Sequence, residues 1–191
     1  MLIRNSITFT PRVEDSVQPY ILAPETIQPN HRTIGIHSRH IRETNDGSDV
    51  SWEMECLDLI LQSTQPKNNL EMQEPCTVLV MADRSATLAA IKLESNKRNC
   101  SVVVVEHENS ADGAPNYEQE HGPFAGAGFF RDWLVVSQAQ TGFVHYKDRS
   151  SSALVYETMV YDGVTQGQID SPVLRCSIDW RMQGKLDLHQ H

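Results

Sequence analysis

Residues 77–105 read TVLVMADRSATLAAIKLESNKRNCSVVVV and carry the clearest structural signal in the chain. The continuous apolar run Thr77–Met81 is typical of a strand that is buried on both faces. Ser85 follows as a candidate helix N-cap, and we expect its helix to continue to about Lys97. Ser101–Val105 then repeats the apolar strand pattern. A strand, a helix and a strand in this order predict a right-handed βαβ unit with parallel strands.

The alternation of strands and helices continues upstream of this unit. Thr33–His37 predicts a short strand, and the amphipathic run Val50–Leu61 predicts a helix. Residues 1–31 contain four prolines and no sustained period, which predicts an irregular N-terminal segment. One face of the predicted helix carries Trp52, Cys56, Leu59 and Ile60.

The alternation also continues downstream. Gly126 and Gly128 introduce a predicted helix, Thr141–His145 predicts a strand, and Ser150–Ser152 open a last helix. We therefore predict an α/β fold, a Rossmann-like parallel sheet with helices on both faces and ligands at the carboxyl ends of its strands. The predicted divisions are the irregular segment 1–31, an α/β domain 32–163, and a C-terminal tail 164–191 with one candidate strand, Val173–Ile178.

The composition limits the ligands that the chain can attract. Its 191 residues include 25 Asp and Glu against 16 Lys and Arg, a formal charge of −9. This balance leaves no basic field for a nucleic-acid backbone, so we expect no nucleic-acid binding. An anionic ligand would need a few local donors, such as an arginine or a helix N-terminus. No run approaches the ~20 apolar residues of a membrane span, and no secretory signal is visible at the start of the chain.

The four cysteines are Cys56, Cys76, Cys100 and Cys176. None of them forms a Cys-x-x-Cys pair, which argues against a structural zinc site. Cys76 and Cys100 precede two neighbouring predicted strands, so they could meet at one end of the sheet in a disulfide. Buried free thiols are the alternative reading of this pair.

The loop after the first predicted strand, IHSRH at residues 36–40, is a candidate phosphate site. Arg39 could grip two phosphate oxygens at once, although it could equally be a surface arginine paired with an acid. His37 and His40 suit hydrogen bonds to a base or a phosphate. With His31 they also form a loose cluster that could serve a metal phosphoesterase, but the His-x-x-x-His spacing is absent and we expect no metal.

Two aspartates are further candidates, one after a predicted strand and one at the start of a predicted helix. Asp83 leaves the strand Thr77–Met81 and could orient a ligand hydroxyl or a partner arginine, or only cap the next helix. Asp132 lies in the first turn of the helix after Gly126 and Gly128, where glycines allow the backbone to approach a ligand closely. A tight turn into a helix is the alternative explanation of those glycines.

The serines at the start of the last predicted helix form another candidate site. The hydroxyls of Ser150, Ser151 and Ser152, with free backbone N–H groups at the positive end of a helix dipole, could hold a phosphate. Serine also caps many helices that bind nothing. The remaining residues assemble neither a Ser/His/Asp triad nor paired glycosidase carboxylates.

Four blocks together, IHSRH, VLVMAD, GFFRDWLVVSQAQTGF and RSSSALVYE, resemble the donor-binding half of α-1,6-fucosyltransferases and protein O-fucosyltransferases. The blocks are scattered between His31 and Val160. The resemblance implies the C-terminal half of a GT-B glycosyltransferase, with GDP-fucose as the donor substrate and no metal or other cofactor. It also implies a glycan or protein acceptor, and a Golgi or ER lumen location if the protein is eukaryotic.

The resemblance assigns roles to the candidate residues. Arg39 looks like the diphosphate-binding arginine, which would also support catalysis by stabilising the departing nucleotide diphosphate. His37 and Asp132 look like the pair that reads the guanine. Ser150–Ser152 would cap the β-phosphate, with Asp83 nearby.

The sequence departs from the family pattern at several positions. His40 replaces the second arginine of the family's H-x-R-R motif, Arg42 stands in place of an aspartate, and Arg84 stands where a second acid can occur. Only a 31-residue segment precedes the first strand, so an acceptor domain would have to come from a missing N-terminal part or a partner chain. The alternatives are therefore a catalytically inactive nucleotide-sugar-binding or regulatory module, or a truncated fragment that lacks its acceptor domain. The candidates for a general base are Asp46, Asp49 and Glu53.

Overall fold

The computed structural model describes residues 15, 17–21, 31–38, 48–65, 75–82, 84–104, 127–147, 173–182 and 184–190. The strands are β1 (Arg32–Ser38), β2 (Cys76–Ala82), β3 (Cys100–Val104), β4 (Gly142–Tyr146), β5 (Leu174–Asp179) and β6 (Lys185–Gln190). The helices are α1 (Ser51–Ser63), α2 (Ser85–Asn96) and α3 (Ala127–Val136), with short 3-10 turns at Gln18–Tyr20 and Trp180–Met182. The helix predicted to open at Ser150–Ser152 lies outside the described residues.

The strands form one sheet in the order β3-β2-β1-β4-β5-β6. β1 to β5 are parallel, and β6 pairs antiparallel with β5. The predicted α/β fold, with a Rossmann-like sheet and helices on both faces, is confirmed. β6 lies in the part of the tail that the sequence left unassigned, and it is antiparallel because a short hairpin returns the chain beside β5 without a crossover helix.

One face of the sheet packs against α1 and α2, and we call it the α1/α2 face. The apolar periodicity of α1 places Cys56, Leu57 and Ile60 fully inside this layer. Alternate strand residues complete this core, including Ile34, Ile36, Val78, Val80, Val144 and Ile178.

The opposite face packs against α3, and we call it the α3 face. Trp133 and Val136 of α3 are buried there with Leu79 and Phe143. A Cβ added to Gly35 of β1 would lie 2.9 Å from Cγ1 of Val136, so glycine allows the helix to approach the strand closely.

Two disulfides join elements of this fold. Cys76 and Cys100 are register partners on β2 and β3, and they form the disulfide that the sequence left open. Cys56 of α1 is bonded to Cys176 of β5, a pairing that the sequence did not predict. The second bond anchors α1 to the sheet across a sequence separation of 120 residues.

The helix boundaries differ slightly from the prediction. Ser85 is the first residue of α2 and not its N-cap, because extended Arg84 holds that position without a side-chain cap. Asp49 accepts a hydrogen bond from the backbone N–H of Ser51 at 3.1 Å and so supports the start of α1. None of the described helices has the length and apolar character of a membrane span.

Candidate functional site

The strand order places a topological switch point between β1 and β4. The chain moves from β1 to β2 and β3 on one side, and then returns to β4 on the other side. The carboxyl ends of β1 and β4 therefore lie side by side, with His37 and His145 as register partners. In open α/β sheets, ligands bind in the crevice outside such strand ends.

A buried carboxylate connects these two strand ends. Glu53 lies in the first turn of α1 and is only 1% exposed. Its Oε1 accepts a hydrogen bond from the hydroxyl of Ser38, the last residue of β1. The same oxygen accepts the hydroxyl of Tyr146, the last residue of β4, at 2.9 Å. We call this arrangement the Ser38–Glu53–Tyr146 link.

The surroundings of Glu53 explain how a carboxylate is accommodated there. An acidic side chain in the first turn of a helix interacts favourably with the helix dipole, and the two hydroxyls solvate its oxygen. The same burial argues against Glu53 as the general base, because an acceptor hydroxyl cannot reach it. Asp49 is exposed and helps to begin α1, and Asp46 lies outside the described residues.

The structure places His37 and Asp132 in the same layer. His37 lies on the α3 face of β1 and is 5% exposed, and Asp132 lies on α3 and is 3% exposed. Strand alternation separates His37 from the neighbouring Ile36 and Ser38, which lie toward α1. Both members of the predicted guanine-reading pair therefore occupy buried positions on the α3 side of the switch point.

His145 is a second buried histidine on this face, at a position that no sequence motif marks. Its Nδ1 lies 2.9 Å from the carbonyl oxygen of Tyr146, and Arg175 Nε donates to its Nε2 at 2.6 Å. These contacts fix a neutral ring with the proton on Nδ1. Burial, followed by the positive charge of Arg175, lowers the pKa of His145 to about 4. The ring also stacks on Phe143 at 5.5 Å.

Polar residues continue from His145 across β5 and β6. His145 is the register partner of Ser177, which in turn pairs with Asp187. Asp187 contacts His189 at 3.0 Å on the exposed edge strand. The α3 face is therefore polar toward β6, whereas the α1/α2 face stays apolar.

The hairpin between β5 and β6 packs beside the start of α1. Gly184 has a φ of +84°, and a Cβ there would lie 2.1 Å from Cε2 of Trp52. Lys147, which follows β4, lies 3.8 Å from Asp179 at the end of β5. The carboxyl edge of the sheet is thus bounded by a turn that only glycine fits.

Most of the predicted site residues lie outside the described residues: Arg39, His40, Asp83, Ser150, Ser151 and Ser152. Their places in the chain still relate them to the sheet. Arg39 directly follows Ser38, and Asp83 directly follows Ala82, and these two preceding residues are register partners on β1 and β2.

The histidine cluster considered for a metal is divided by the fold. His31 precedes β1 and His37 lies near its end, so six residues of extended chain, about 20 Å, separate them. His31 Nε2 instead lies 2.9 Å from Thr77 Oγ1, which is 2.8 Å from Ser101 Oγ. Burial and the charge of Arg32 lower the pKa of His31. Within the described part of the chain, no group of three metal-ligating side chains occurs.

An open groove of about 450 Å³ lies elsewhere, along α1 and α2. Within its lining, Arg98 pairs with Asp58 at 2.7 Å and with Glu94 at 3.4 Å. Asp49 and Glu55 also line the groove, so four carboxylates surround one guanidinium and the lining is acidic. An acidic lining does not suit an anionic ligand. The strand ends at the switch point remain the better candidate.

Solved structures with similar folds point to one group of enzymes. Two are NodZ α-1,6-fucosyltransferase, one crystal soaked with GDP-fucose and one grown with GDP. All of this chain superposes on 52% and 51% of those chains, with TM-scores of 0.54 and 0.52 and 14% sequence identity. A mutant of Arabidopsis thaliana FUT1 in complex with GDP gives a TM-score of 0.50 at 13% identity, covering 88% of this chain and 33% of that one. The fold is fucosyltransferase-like.

The likeness concerns the fold, since the identities are low. The chain spans about half the length of the NodZ structures that it matches. No protein-family model matches the sequence, and no curated protein matches it.

Proposed function

We propose that this chain binds a GDP-sugar, with GDP-fucose as the first candidate, and transfers the sugar to a glycan or protein acceptor. One observation carries the proposal: the fucosyltransferase-like sheet reverses its order between β1 and β4. From these two strand ends the sequence continues into Arg39 and into Lys147–Ser152, which hold the candidate phosphate-binding groups. The fold neighbours that bind GDP or GDP-fucose support a nucleotide-sugar donor.

The proposed chemistry is a direct displacement. An acceptor oxygen attacks the anomeric carbon, and the bond from that carbon to the diphosphate breaks, so that GDP leaves with the electron pair. Arg39 would stabilise the charge that develops on the diphosphate, because a guanidinium can donate to two phosphate oxygens at once. Ser150–Ser152 would add hydroxyl and backbone donors. The acceptor's proton passes to a base that the described residues do not identify.

His37 and Asp132 would read the base of the donor in this proposal. Their burial in one layer supports this role, since polar groups held in fixed positions discriminate well between hydrogen-bonding patterns. His40 and Asp83 would contribute further contacts to the donor. The site would need no metal, because the arginine and the helix dipole would supply the positive charge.

A nucleotide-sugar-binding module without turnover is the second candidate. It is favoured by the departures from the family pattern at His40, Arg42 and Arg84, which change the charges around the proposed diphosphate site. In that case the donor would bind but no sugar would be transferred.

Titration calorimetry with GDP and GDP-fucose tests the proposal. We expect both to bind and the Arg39→Ala variant to bind at least about tenfold more weakly, since charge-assisted hydrogen bonds are each worth about 1.5–3 kcal/mol. Arg98→Ala is the matched control, because Arg98 pairs with Asp58 on the helical surface. Donor hydrolysis or transfer would distinguish an enzyme from a module. If the wild-type chain binds neither GDP nor GDP-fucose, both the enzyme and the binding module are refuted.

A further inference from the structure

We infer that Glu53 is a positioning residue for the donor site, an inference that rests on the proposed function. The Ser38–Glu53–Tyr146 link would hold the ends of β1 and β4 at a fixed separation. The two chain segments that carry the proposed phosphate ligands would then start from fixed points. Glu53 itself would not touch the donor.

The geometry of the link supports this role. One oxygen, Glu53 Oε1, accepts hydroxyls from two strands that meet at the switch point. The backbones of β1 and β4 are paired from Ile34 and Gly142 to His37 and His145. Ser38 and Tyr146 are the next residues along each strand. The carboxylate therefore connects the strands where their backbone pairing ends.

The position of Glu53 on α1 makes the connection rigid. Cys56, one turn farther along the helix, is bonded to Cys176 of β5. Leu57 and Ile60 of the same helix are fully buried against the sheet. Because α1 is fixed at these points, its first turn is a firm base for the carboxylate.

The sequence distance between the link and the proposed ligands is short. Arg39 follows Ser38 directly, and Ser150 lies four residues after Tyr146. A separation of the two strand ends would therefore move both groups of phosphate ligands relative to each other. Catalytic and binding groups must keep their mutual geometry to within about 0.5 Å, so a small separation would weaken binding.

The experiment uses three variants of the full chain. Glu53→Ala removes the acceptor, Glu53→Gln retains an acceptor oxygen for both hydroxyls, and Ser38→Ala combined with Tyr146→Phe removes both donors. The double variant keeps the test informative if Glu53→Ala fails to fold. Ser95→Ala is the matched control, because Ser95 is a buried hydroxyl on α2 that lies away from the strand ends.

Two measurements are made on each variant. The first is amide hydrogen exchange of residues 36–38 and 144–147 without ligand, and the second is GDP affinity. We expect Glu53→Ala and the double variant to exchange about tenfold faster at both strand ends and to bind GDP about tenfold more weakly. Glu53→Gln should stay within about threefold of the wild type in both measurements, as rescue by an equivalent acceptor requires.

The outcomes separate this inference from the proposed function. Unchanged exchange in Glu53→Ala and in the double variant would overturn the inference, whether or not the wild type binds GDP. Faster exchange with unchanged GDP affinity would also overturn it. If the wild type binds no GDP, the proposed function fails and the donor-positioning role fails with it, while the exchange data still show whether the link holds the strand ends.

Discussion

The two faces of the sheet use their buried positions differently. On the α1/α2 face, the core is apolar and contains both disulfides, and the buried charged residues Arg32 and Glu53 lie at its edges. On the α3 face, His37, Asp132 and His145 are all buried next to a smaller apolar cluster. The comparison indicates that the α1/α2 face mainly stabilises the fold, whereas the α3 face holds polar groups in fixed positions near the switch point.

Removal of the Cys56–Cys176 disulfide should give the largest change in stability. The double variant Cys56→Ala/Cys176→Ala should lose about 5 kcal/mol of unfolding free energy, because the bond closes a long loop in the unfolded chain. Cys76→Ala/Cys100→Ala, with a sequence separation of 24, should lose about 3.5 kcal/mol. Urea unfolding measures both. An equal or larger loss for the second pair would contradict the ranking.

Substitution of two strand glycines by alanine tests how tightly a helix packs on each face of the sheet. Gly142→Ala would place a Cβ 2.6 Å from Cγ2 of Ile60 on the α1/α2 face. Gly35→Ala would place one 2.9 Å from Cγ1 of Val136 and 3.3 Å from its carbonyl oxygen on the α3 face. Each should cost about 1–3 kcal/mol, as overpacking does.

A second substitution at each contact shows whether the helix side chain or the helix backbone obstructs the new methyl group. The double variant Gly142→Ala/Ile60→Ala should lose less stability than the sum of the two single variants, because the atoms that obstruct the new Cβ belong to the Ile60 side chain. The double variant Gly35→Ala/Val136→Ala should recover less unfolding free energy, because the backbone carbonyl of residue 136 remains close to the new Cβ. Thermal unfolding of each cycle measures the coupling, and equal recovery on the two faces would show that the helix backbone adjusts freely.

The pH dependence of stability should depend on His145 on the α3 face. Its pKa is about 4 in the folded chain and about 6.5 in the unfolded chain. Because its pKa is lower in the folded chain, the unfolded chain binds the proton at a higher pH than the folded chain does. The contribution of His145 to the free energy of unfolding is therefore fully present above about pH 6.5 and is lost as the pH falls toward 4. This residue should account for a loss of about 2 kcal/mol between pH 7 and pH 5.

The variant His145→Gln isolates that contribution. Urea unfolding at pH 7 and pH 5 should show a smaller pH-dependent loss in this variant than in the wild type. His189→Gln should reduce the pH-dependent loss by less than His145→Gln does, because the charge of His189 contributes less to the low pKa of His145 than burial and Arg175 do. An identical pH dependence in His145→Gln and the wild type would show that His145 does not carry it.

The smallest effect should come from the surface of the helical layer. Arg98 donates to both oxygens of Asp58, at 2.7 and 2.9 Å, and this contact raises the pKa of Arg98. Both side chains are partly exposed, so a double-mutant cycle of Arg98→Ala and Asp58→Ala should give about 1 kcal/mol or less. The coupling should decrease at high salt. A coupling that is large and independent of salt would contradict this expectation.

The sequence predicted the fold well where its pattern was continuous. The apolar runs of β2 and β3 and the amphipathic period of α1 each identify one element without tertiary information. Pairing of Cys76 with Cys100 could be foreseen because both precede adjacent strands. The Cys56–Cys176 bond could not, because it depends on which strand lies below α1 and therefore on the order of the whole sheet.

The site was less predictable because its contacts are distant in sequence. Tyr146 reaches Glu53 across 93 positions, and no local pattern relates them. Glu53 lies on an amphipathic helix, where an acidic residue normally indicates the solvent side. His145 could have been noticed as a polar residue in a short strand, but its partner Arg175 lies 30 positions away in the candidate strand Val173–Ile178, and no local pattern relates the two. β6 was missed for a related reason, since an exposed edge strand lacks a continuous apolar run.

The proposed function requires a nucleotide to bind at the carboxyl edge of the sheet between β1 and β4. Titration of ¹⁵N-labelled protein with GDP, followed by backbone amide shifts, tests it most directly. GDP binding at this edge should shift the amide signals of Ser38, Tyr146 and Lys147 and leave those of Arg32 and Thr77, at the opposite edge, unchanged. Shifts centred on that opposite edge, or no shifts at all, would contradict it.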